Sequence, residues 1–333
     1  MQRVAVIGAG SWGTAVANMA AASASTVLWA RRPELAQAIR ETHCNPDYLP
    51  EFDLAESLEA TADLEEAVSG AELVIMAVPS HGFRAVFADL ADYISAERPI
   101  LSLTKGIEQE TLATMTQVIA EEAPEHDRSV IGVLTGPNLA REVVEGQPTA
   151  AVVAIKDDET ARTIQSLFMS PTFRVYTNDD VVGCELGGAL KNVMAIAAGM
   201  SDGLGFGNNT RAALITRALA ELTRLGVALG GRSITFAGLA GMGDLIATCI
   251  SPLSRNHRVG MALAEGKTLD EVVSEMRMVA EGVKTTRSVL GLAERTGVEM
   301  PIATHVGRVL YEGLHPKKAV LSLMTRAAKA ELG

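Results

Sequence analysis

Short runs of β-branched and apolar residues alternate with helix-like stretches through the first half of the chain, and this alternation constrains the fold most strongly. It is typical of βαβ units, in which parallel strands form one sheet covered by helices. The predicted strands are residues 3–8, 25–29, 73–78, 100–104, 130–134, 150–155 and 173–176. We therefore expect an α/β domain with a largely parallel sheet.

The second half of the chain has a different pattern of residue types. After about Cys184, strand-like runs almost disappear, and Ala, Leu and Gly at helical spacing dominate. A length of 333 residues is ample for two domains at ~150 residues each. We expect an α/β domain over 1–183 and an all-α domain over 184–333, joined directly because no Pro- or Ser-rich linker separates them.

Charge and cysteine usage exclude several classes of protein. The chain has 29 Lys and Arg against 40 Asp and Glu, a net charge of -11, which disfavours a nucleic-acid partner. An anionic small molecule would need a local cluster of donors. Cys44, Cys184 and Cys249 show no CxxC spacing, which favours a reducing compartment and no metal site. Without a leader or an uninterrupted apolar span, a cytoplasmic protein is expected.

A glycine-rich turn follows the first predicted strand. The sequence GAGSWG, with Gly8, Gly10 and Gly13, leads directly into an Ala-rich helix. In this context the three glycines allow a tight turn, let backbone amides approach a pyrophosphate, and pack the helix on the strand. The turn predicts a dinucleotide site; the alternatives are a glycine turn that serves packing alone and a different nucleotide-like ligand.

Two arginines follow the second predicted strand, where NAD sites usually place an acidic residue. Arg31 and Arg32 could instead form charge-assisted bonds with the 2′-phosphate of NADP. This position favours NADP. The alternative is a solvated pair that heads the helix beginning at Pro33.

Three further segments follow predicted strands, at the edge where doubly wound sheets bind ligands: Val78-Pro79-Ser80, Leu103-Thr104-Lys105-Gly106 and Thr135-Gly136-Pro137-Asn138. Lys105 directly follows an apolar strand. Its ammonium would therefore lie at the sheet edge near the cofactor, although an ordinary surface lysine is the alternative.

The helix-like run over 185–195 contains two internal glycines, Gly187 and Gly188. Each costs ~1 kcal/mol relative to Ala, so a close approach to a cofactor or to the sheet domain is expected to offset that cost. Such an approach would bury Lys191 and Asn192. A buried lysine loses a proton more easily, so Lys191 is a candidate acid; the alternative is a lysine that snorkels at the helix margin.

Two polar segments follow in the helical half. Asp244 ends a glycine-rich turn, with Thr248 on the same helical face, and a simple N-cap is the alternative reading of Asp244. The sequence Ser254-Arg255-Asn256-His257-Arg258 concentrates anion donors in an acidic protein. It favours a phosphate site over scattered surface charges.

Six segments in order resemble the NAD(P)-dependent glycerol-3-phosphate dehydrogenases of the bacterial type: GAGSWG, LTKG, TGPNLAREV, ELGGALKNVMAIAAG, GLAGMGDLIATC and SRNHRVG. The similarity extends from Val4 to about Pro301. It implies interconversion of sn-glycerol 3-phosphate and dihydroxyacetone phosphate with NAD or NADP, for glycerophospholipid synthesis. It also implies a Rossmann-type domain followed by a helical domain similar to that of 6-phosphogluconate dehydrogenase.

The resemblance assigns roles residue by residue. The implied catalytic residues are the proton carrier Lys191 with Asp244 and Asn192, which would orient it. Cofactor contacts are implied for Gly8, Gly10, Ser11, Trp12, Gly13, Arg31, Arg32, Lys105, Ala140, Arg255, Val279 and Glu281. Substrate contacts are implied for Lys105, Gly136, Asn138, Lys191, Asp244, Ser254, Arg255 and Asn256. Asn138 departs from the Ser of many bacterial relatives, which leaves its side-chain contact open.

Two other functions fit part of the pattern. One is another hydroxyacid dehydrogenase or ketopantoate-type reductase, which the donor cluster at Ser254 to Asn256 disfavours. The other is a non-catalytic NADP-binding sensor. The expected partner is a phosphorylated small molecule, with a homodimer as the candidate assembly. His43, His81, His126, His305 and His315 receive no role.

Overall fold

The structure, a computed structural model, describes residues 1–276, 280–327 and 330. Its strands are β1 (Arg3–Ile7), β2 (Ser25–Trp29), β3 (Cys44–Asn45), β4 (Leu49–Asp53), β5 (Leu58–Thr61), β6 (Leu73–Met76), β7 (Ile100–Ser102), β8 (Ile131–Thr135), β9 (Thr149–Ala154) and β10 (Phe173–Asn178). The helices among them are α1 (Ser11–Ala21), α2 (Pro33–Thr42), α3 (Leu64–Val68), α4 (Ser80–Ala91), α5 (Met115–Glu122), α6 (Ala140–Val144) and α7 (Asp158–Phe168). The predicted alternation is confirmed.

Eight strands form one sheet in the order β10-β9-β8-β7-β6-β1-β2-β5. Neighbours run parallel except β8 and β9, which are antiparallel. The largely parallel Rossmann-type sheet is thus confirmed. Val4 and Val6 pack on one side of the sheet, whereas Ala5 and Ile7 pack on the other, so β1 is covered on both faces.

Three strands were not expected from the sequence. β3 and β4 form a small antiparallel pair, and β5 extends the main sheet beside β2. The β4 segment Leu-Pro-Glu-Phe-Asp is mostly exposed and contains a proline and two acidic residues. It therefore lacks the continuous run of β-branched and apolar residues that identified the other strands.

The remaining helices form the second half of the molecule: α8 (Val181–Gly203), α9 (Asn208–Ala228), α10 (Ser233–Phe236), α11 (Asp244–Ile250), α12 (Arg255–Ala264), α13 (Leu269–Glu275), α14 (Glu281–Thr296), α15 (Pro301–Glu312) and α16 (Pro316–Met324). A π-helical turn, Leu239–Gly243, precedes α11. No strand follows β10 in the part of the chain that the structure describes. The expected helical half is confirmed.

The helix α8 is the core of this half. Every residue from Gly183 to Ser201 is buried, and the helix packs against α9, α11, α12 and α14. By length and composition, α8 and the stretch Ser233–Ile250 could each cross a membrane. However, 89% of the most apolar part of α8 lies inside the protein, as in the core helix of a globular fold.

Candidate active site

The glycine turn between β1 and α1 has the close contacts that glycine alone permits. Gly8 has a φ of +122°, and a Cβ there would lie 2.7 Å from the Ala77 carbonyl oxygen at the end of β6. A Cβ on Gly13 would overlap the carbonyl oxygen of Gly8. A Cβ on Gly10, in contrast, would meet nothing within 4 Å. Gly8 and Gly13 therefore serve the packing of α1 on the sheet, whereas Gly10 leaves an open backbone surface at the helix start.

Several buried polar atoms at this sheet edge have no partner among the described residues. They are the Trp12 indole nitrogen, the Thr135 hydroxyl oxygen and both side-chain polar atoms of Asn138. Buried polar groups normally form hydrogen bonds, so unpaired ones indicate a missing ligand or water. Together with the open face of Gly10, these atoms fit a polar ligand such as a dinucleotide with its substrate.

A buried cluster of two lysines and one carboxylate joins the two halves of the molecule. Lys191 on α8 donates to Asp244 Oδ1, and Lys105, beyond β7, donates to Asp244 Oδ2 at 2.8 Å. The Lys105 ammonium also donates to the Gly136 carbonyl at 2.9 Å. The exposed fraction of the side chain is 2% for Asp244, 7% for Lys191 and 18% for Lys105. The cluster is thus buried on the Lys191 side and reaches solvent through Lys105.

Burial tunes Lys191 for proton transfer. Loss of hydration is the main cause that lowers the pKa of Lys191 to about 8, and the nearby charge of Lys105 lowers it further. Asp244 acts in the opposite direction by stabilising the ammonium. Lys191 therefore remains largely protonated at neutral pH and can release its proton readily.

Glycines in α8 bring Lys191 to this position. A Cβ on Gly187 would lie 2.5 Å from the Ala240 carbonyl oxygen in the π-helical turn. A Cβ on Gly188 would lie 2.8 Å from the Thr135 hydroxyl oxygen at the end of β8. The expected close approach of this helix to the sheet half is confirmed, and it places Lys191 one turn further along, beside Asp244.

Thr248 also contacts Lys191, although the sequence did not predict it as a site residue. Its hydroxyl oxygen lies 2.6 Å from the Lys191 ammonium and donates to the Asp244 carbonyl at 2.6 Å. Because Thr248 follows Asp244 by four residues on α11, the two side chains share one helical face. That spacing was visible in the sequence and could have identified Thr248.

Within the described residues, the Asn192 side chain forms no hydrogen bond with Lys191, the lysine that it was expected to orient. Its amide nitrogen donates to the Lys105 carbonyl at 2.9 Å, and its oxygen accepts from Asn256 at 3.0 Å. The Asn256 oxygen in turn accepts from the Gly282 amide at 2.9 Å. Asn192 therefore holds the backbone at Lys105. The reason is geometric, since adjacent residues on a helix point in directions about 100° apart.

The segment from Ser254 to Asn256 forms the start of α12. Ser254 is the N-cap and accepts from the His257 amide at 3.3 Å, and the Asn256 side chain is bonded to Asn192 and Gly282. Two of the three side chains expected to hold a phosphate, those of Ser254 and Asn256, are thus bonded within the protein. Arg255 is an exposed residue, but burial of its guanidinium lowers the pKa of that group, and the backbone amides of Arg255 and Asn256 have no partner within the described residues. These groups remain available for an anion.

The two arginines after β2 differ in their surroundings. Both are exposed, but Arg32 forms an ion pair with Asp47, whereas Arg31 forms none within the described part of the chain. A phosphate at this edge could bind Arg31 without displacing an ion-pair partner among the described residues. To bind Arg32 it would have to compete with Asp47.

The remaining predicted contacts lie around the same edge. Ser11 donates to the Tyr48 carbonyl at 3.3 Å, and Ala140 begins α6. Glu281, the first residue of α14, accepts from the Ser80 hydroxyl at 2.7 Å, a bond between the two halves that the sequence did not indicate. Val279 lies outside the described residues.

Comparison with known proteins identifies the family. The model of the NAD-dependent glycerol-3-phosphate dehydrogenase N-terminus matches residues 3–161, and that of its C-terminus matches residues 180–321. The chain is 53% identical to a glycerol-3-phosphate dehydrogenase (NAD(P)+) of Thermobifida fusca over 99% of both chains.

Solved structures agree with this assignment. A glycerol-3-phosphate dehydrogenase from Coxiella burnetii superposes with a TM-score of 0.93 at 38% identity, covering 98% of this chain and 99% of that one. A ketopantoate reductase from Ralstonia eutropha is 17% identical over 96% of this chain and 100% of that one, with a TM-score of 0.58, so it shares the fold alone. The chain therefore belongs to the NAD-dependent glycerol-3-phosphate dehydrogenase family.

Proposed function

We propose that the residues around Lys191 catalyse reversible hydride transfer between NAD(P)H and dihydroxyacetone phosphate, giving sn-glycerol 3-phosphate for glycerophospholipid synthesis. The chain is an NAD(P)-dependent oxidoreductase that acts on a CH–OH group. The observation that carries the proposed chemistry is the contact of one buried ammonium, Lys191, with Asp244 and Thr248.

The Lys191 ammonium acts as the acid in the reduction. As the ketone is reduced, negative charge develops on its oxygen, and a positioned ammonium both stabilises that charge and supplies the proton. Asp244 and Thr248 fix the Lys191 nitrogen, so little reorganisation is needed. Lys105 adds a second positive charge on the solvent side of the same carboxylate. In glycerol 3-phosphate oxidation the neutral Lys191 amine accepts the proton.

The edge of the sheet holds the cofactor. When bound, the nicotinamide cofactor supplies or accepts the hydride. The open face of Gly10 and the first turn of α1 would receive its pyrophosphate, with the orphaned Trp12 indole nitrogen available beside them. The other proposed cofactor contacts are Gly8, Ser11, Gly13, Arg31, Arg32, Lys105, Ala140, Arg255, Val279 and Glu281.

The start of α12 holds the substrate phosphate. The Arg255 guanidinium and the free amides of Arg255 and Asn256 would bind it, while Ser254 and the Asn256 side chain shape the turn. Across from them, Gly136, Asn138 and Lys105 would line the rest of the substrate site. Because the phosphate is remote from the ketone, its binding energy orients the carbonyl.

NADPH is the proposed preferred cofactor, because Arg31, which would face the 2′-phosphate, forms no ion pair within the described residues. The proposed division places the cofactor half at 1–183 and the substrate half at 184–333. A cytoplasmic homodimer is the proposed form, and it is tested by cell fractionation and sedimentation. The three free cysteines support the cytoplasmic location.

A substrate panel tests the proposed reaction. Oxidation of NADPH and of NADH would be followed with dihydroxyacetone phosphate, ketopantoate and 3-oxo acids in parallel. We expect turnover with dihydroxyacetone phosphate and at least ~100-fold lower kcat/KM with the others, since they cannot use the phosphate site. Reduction of only the non-phosphorylated ketones would contradict the proposal.

A further inference from the structure

A second polar network lies directly behind the start of α12. The His257 ring nitrogen Nε2 lies 2.8 Å from Asp202 Oδ2, near the end of α8. The other Asp202 oxygen accepts from Arg211 on α9, at 3.1 Å from Nε and 3.0 Å from Nη2. His257 is 5% exposed. One carboxylate therefore connects three helices, and the residue that it holds on α12 immediately follows Asn256.

Two side-chain hydrogen bonds join α8 and α12 within the described residues, one between Asn256 and Asn192 and one between His257 and Asp202. A Cβ on Gly199 would overlap the His257 carbonyl, and a Cβ on Gly203 would lie 2.8 Å from the Ala264 Cβ. On the facing helix, a Cβ on Gly260 would overlap the Ile196 carbonyl. The two backbones are thus in direct contact at these three glycines. Because no side chain of these glycines can interlock with the facing helix, the directional bonds of His257 and Asn256 matter more for the position of the first turn of α12.

We propose that His257 and Asp202 are positioning residues for substrate phosphate binding. The Asp202 carboxylate fixes the first turn of α12 along α8, and that turn presents the Arg255 guanidinium and the two free amides. Loss of the bond lets the turn shift, which misplaces the phosphate donors relative to Lys191. A displacement of about 1 Å can cost up to ~100-fold in rate. The inference rests on the proposed phosphate site.

The test compares two ketones, dihydroxyacetone phosphate and dihydroxyacetone. The readout is the ratio of their kcat/KM values, which does not depend on the amount of folded enzyme and so separates positioning from stability. In His257→Leu the ratio should fall about tenfold, because only the phosphorylated ketone uses α12. His257→Gln, which retains a donor for Asp202, should restore most of it. Asp202→Asn tests the same bond from the other side and should also lower the ratio.

Two further variants make the outcome decisive. His126→Leu removes an equally buried histidine, 6% exposed, whose Nε2 lies 2.9 Å from the Arg98 carbonyl in the sheet half. In this variant the ratio of the two kcat/KM values should be unchanged. Arg255→Met tests the phosphate site itself and should lower the ratio.

If Arg255→Met lowers the ratio but His257→Leu and Asp202→Asn do not, the positioning role is wrong and the phosphate site stands. If none of the three lowers the ratio, the proposed phosphate site is wrong as well.

Discussion

Lys191 and Asp244 form a buried ion pair between α8 and α11, although 53 positions separate them in the chain. The pair lies where the helical half meets the sheet edge, and Lys105 reaches the same carboxylate from the other side. Restricted hydration makes an ammonium lose its proton more easily, whereas a fixed counter-ion keeps it charged at neutral pH. This relationship is the physical basis of the proposed mechanism.

The pH dependence of turnover follows from the pKa of Lys191, which burial lowers to about 8. Reduction needs the ammonium, so kcat for dihydroxyacetone phosphate should fall about tenfold per pH unit above pH 8. Oxidation needs the neutral amine, so kcat for glycerol 3-phosphate should rise towards pH 8 and then level off. Steady-state profiles at saturating substrates measure both.

Replacement of Thr248, which lies beside Lys191, tests whether Lys191 is the group that sets these pH profiles. Thr248→Val removes the oxygen that lies 2.6 Å from the ammonium, which disfavours the charged form. Both kinetic profiles should therefore move to lower pH. Flat profiles between pH 7 and 10 in both directions would be inconsistent with Lys191 as the titrating acid.

Replacement of Gly187 by Ala should have the opposite effect on stability to the usual Gly→Ala replacement in a helix. Gly→Ala inside a helix normally stabilises by ~1 kcal/mol. In Gly187→Ala the new Cβ would lie 2.5 Å from the Ala240 carbonyl, so we expect destabilisation by about 2 kcal/mol and a loss of kcat. Gly82→Ala in α4 is the control, since its Cβ would meet the nearest atom at an ordinary 3.7 Å.

Urea unfolding measures both glycine variants. The control variant, Gly82→Ala, should be at least as stable as the parent protein. A stabilised Gly187→Ala protein with unchanged kcat would show that the close approach of α8 to the π-helical turn has no role in the site.

Arg31 should determine the cofactor preference. Arg31→Met removes the arginine without an ion-pair partner within the described residues, so KM for NADPH should rise roughly tenfold while KM for NADH changes little. Arg32→Met should have a smaller effect because Asp47 already pairs with Arg32. Equal changes in KM for both cofactors would argue against a 2′-phosphate contact at Arg31.

Glu221 should make stability depend on pH. Its carboxylate accepts from the Ile302 amide at 2.8 Å at the start of α15, but burial raises its pKa to about 7. The pKa of Glu221 is higher in the folded state than in the unfolded state, where it is near 4.5. The protein therefore loses stability as pH rises from about 4.5 through 7.

Glu221→Gln removes the titration and keeps an oxygen acceptor. It should match the parent protein at pH 5 and exceed its free energy of unfolding at pH 8 by an amount on the order of 3 kcal/mol. Urea unfolding at the two pH values measures this difference. A difference between the two proteins that does not vary with pH would refute the assignment.

The sequence predicted the parts of the fold that depend on local pattern. The parallel strands, the glycine turn and the apolar helix around Lys191 all follow from spacing and residue type. The β3 and β4 pair was missed because β3 has only two residues, and β4 is mostly exposed and lacks a β-strand pattern.

The candidate site was predictable in its residues and less so in its bonds. Lys191, Asp244 and Lys105 were all named from the sequence, yet only the fold shows that both lysines share one carboxylate. Asn192 was assigned to the wrong neighbour because adjacency in sequence is not adjacency in space. The bonds of Ser80 to Glu281 and of His257 to Asp202 join distant segments, and no local spacing indicates them.

Replacing the proposed acid is the most direct test of the mechanism. Lys191→Ala would be assayed for dihydroxyacetone phosphate reduction, with NADPH affinity measured by fluorescence titration and the exposed Lys156→Ala as the control. We expect kcat to fall by ~1000-fold with NADPH affinity unchanged, and full activity in the control. A Lys191→Ala enzyme that binds NADPH and keeps a kcat within about threefold of the parent value would contradict the role of Lys191 as the proton donor.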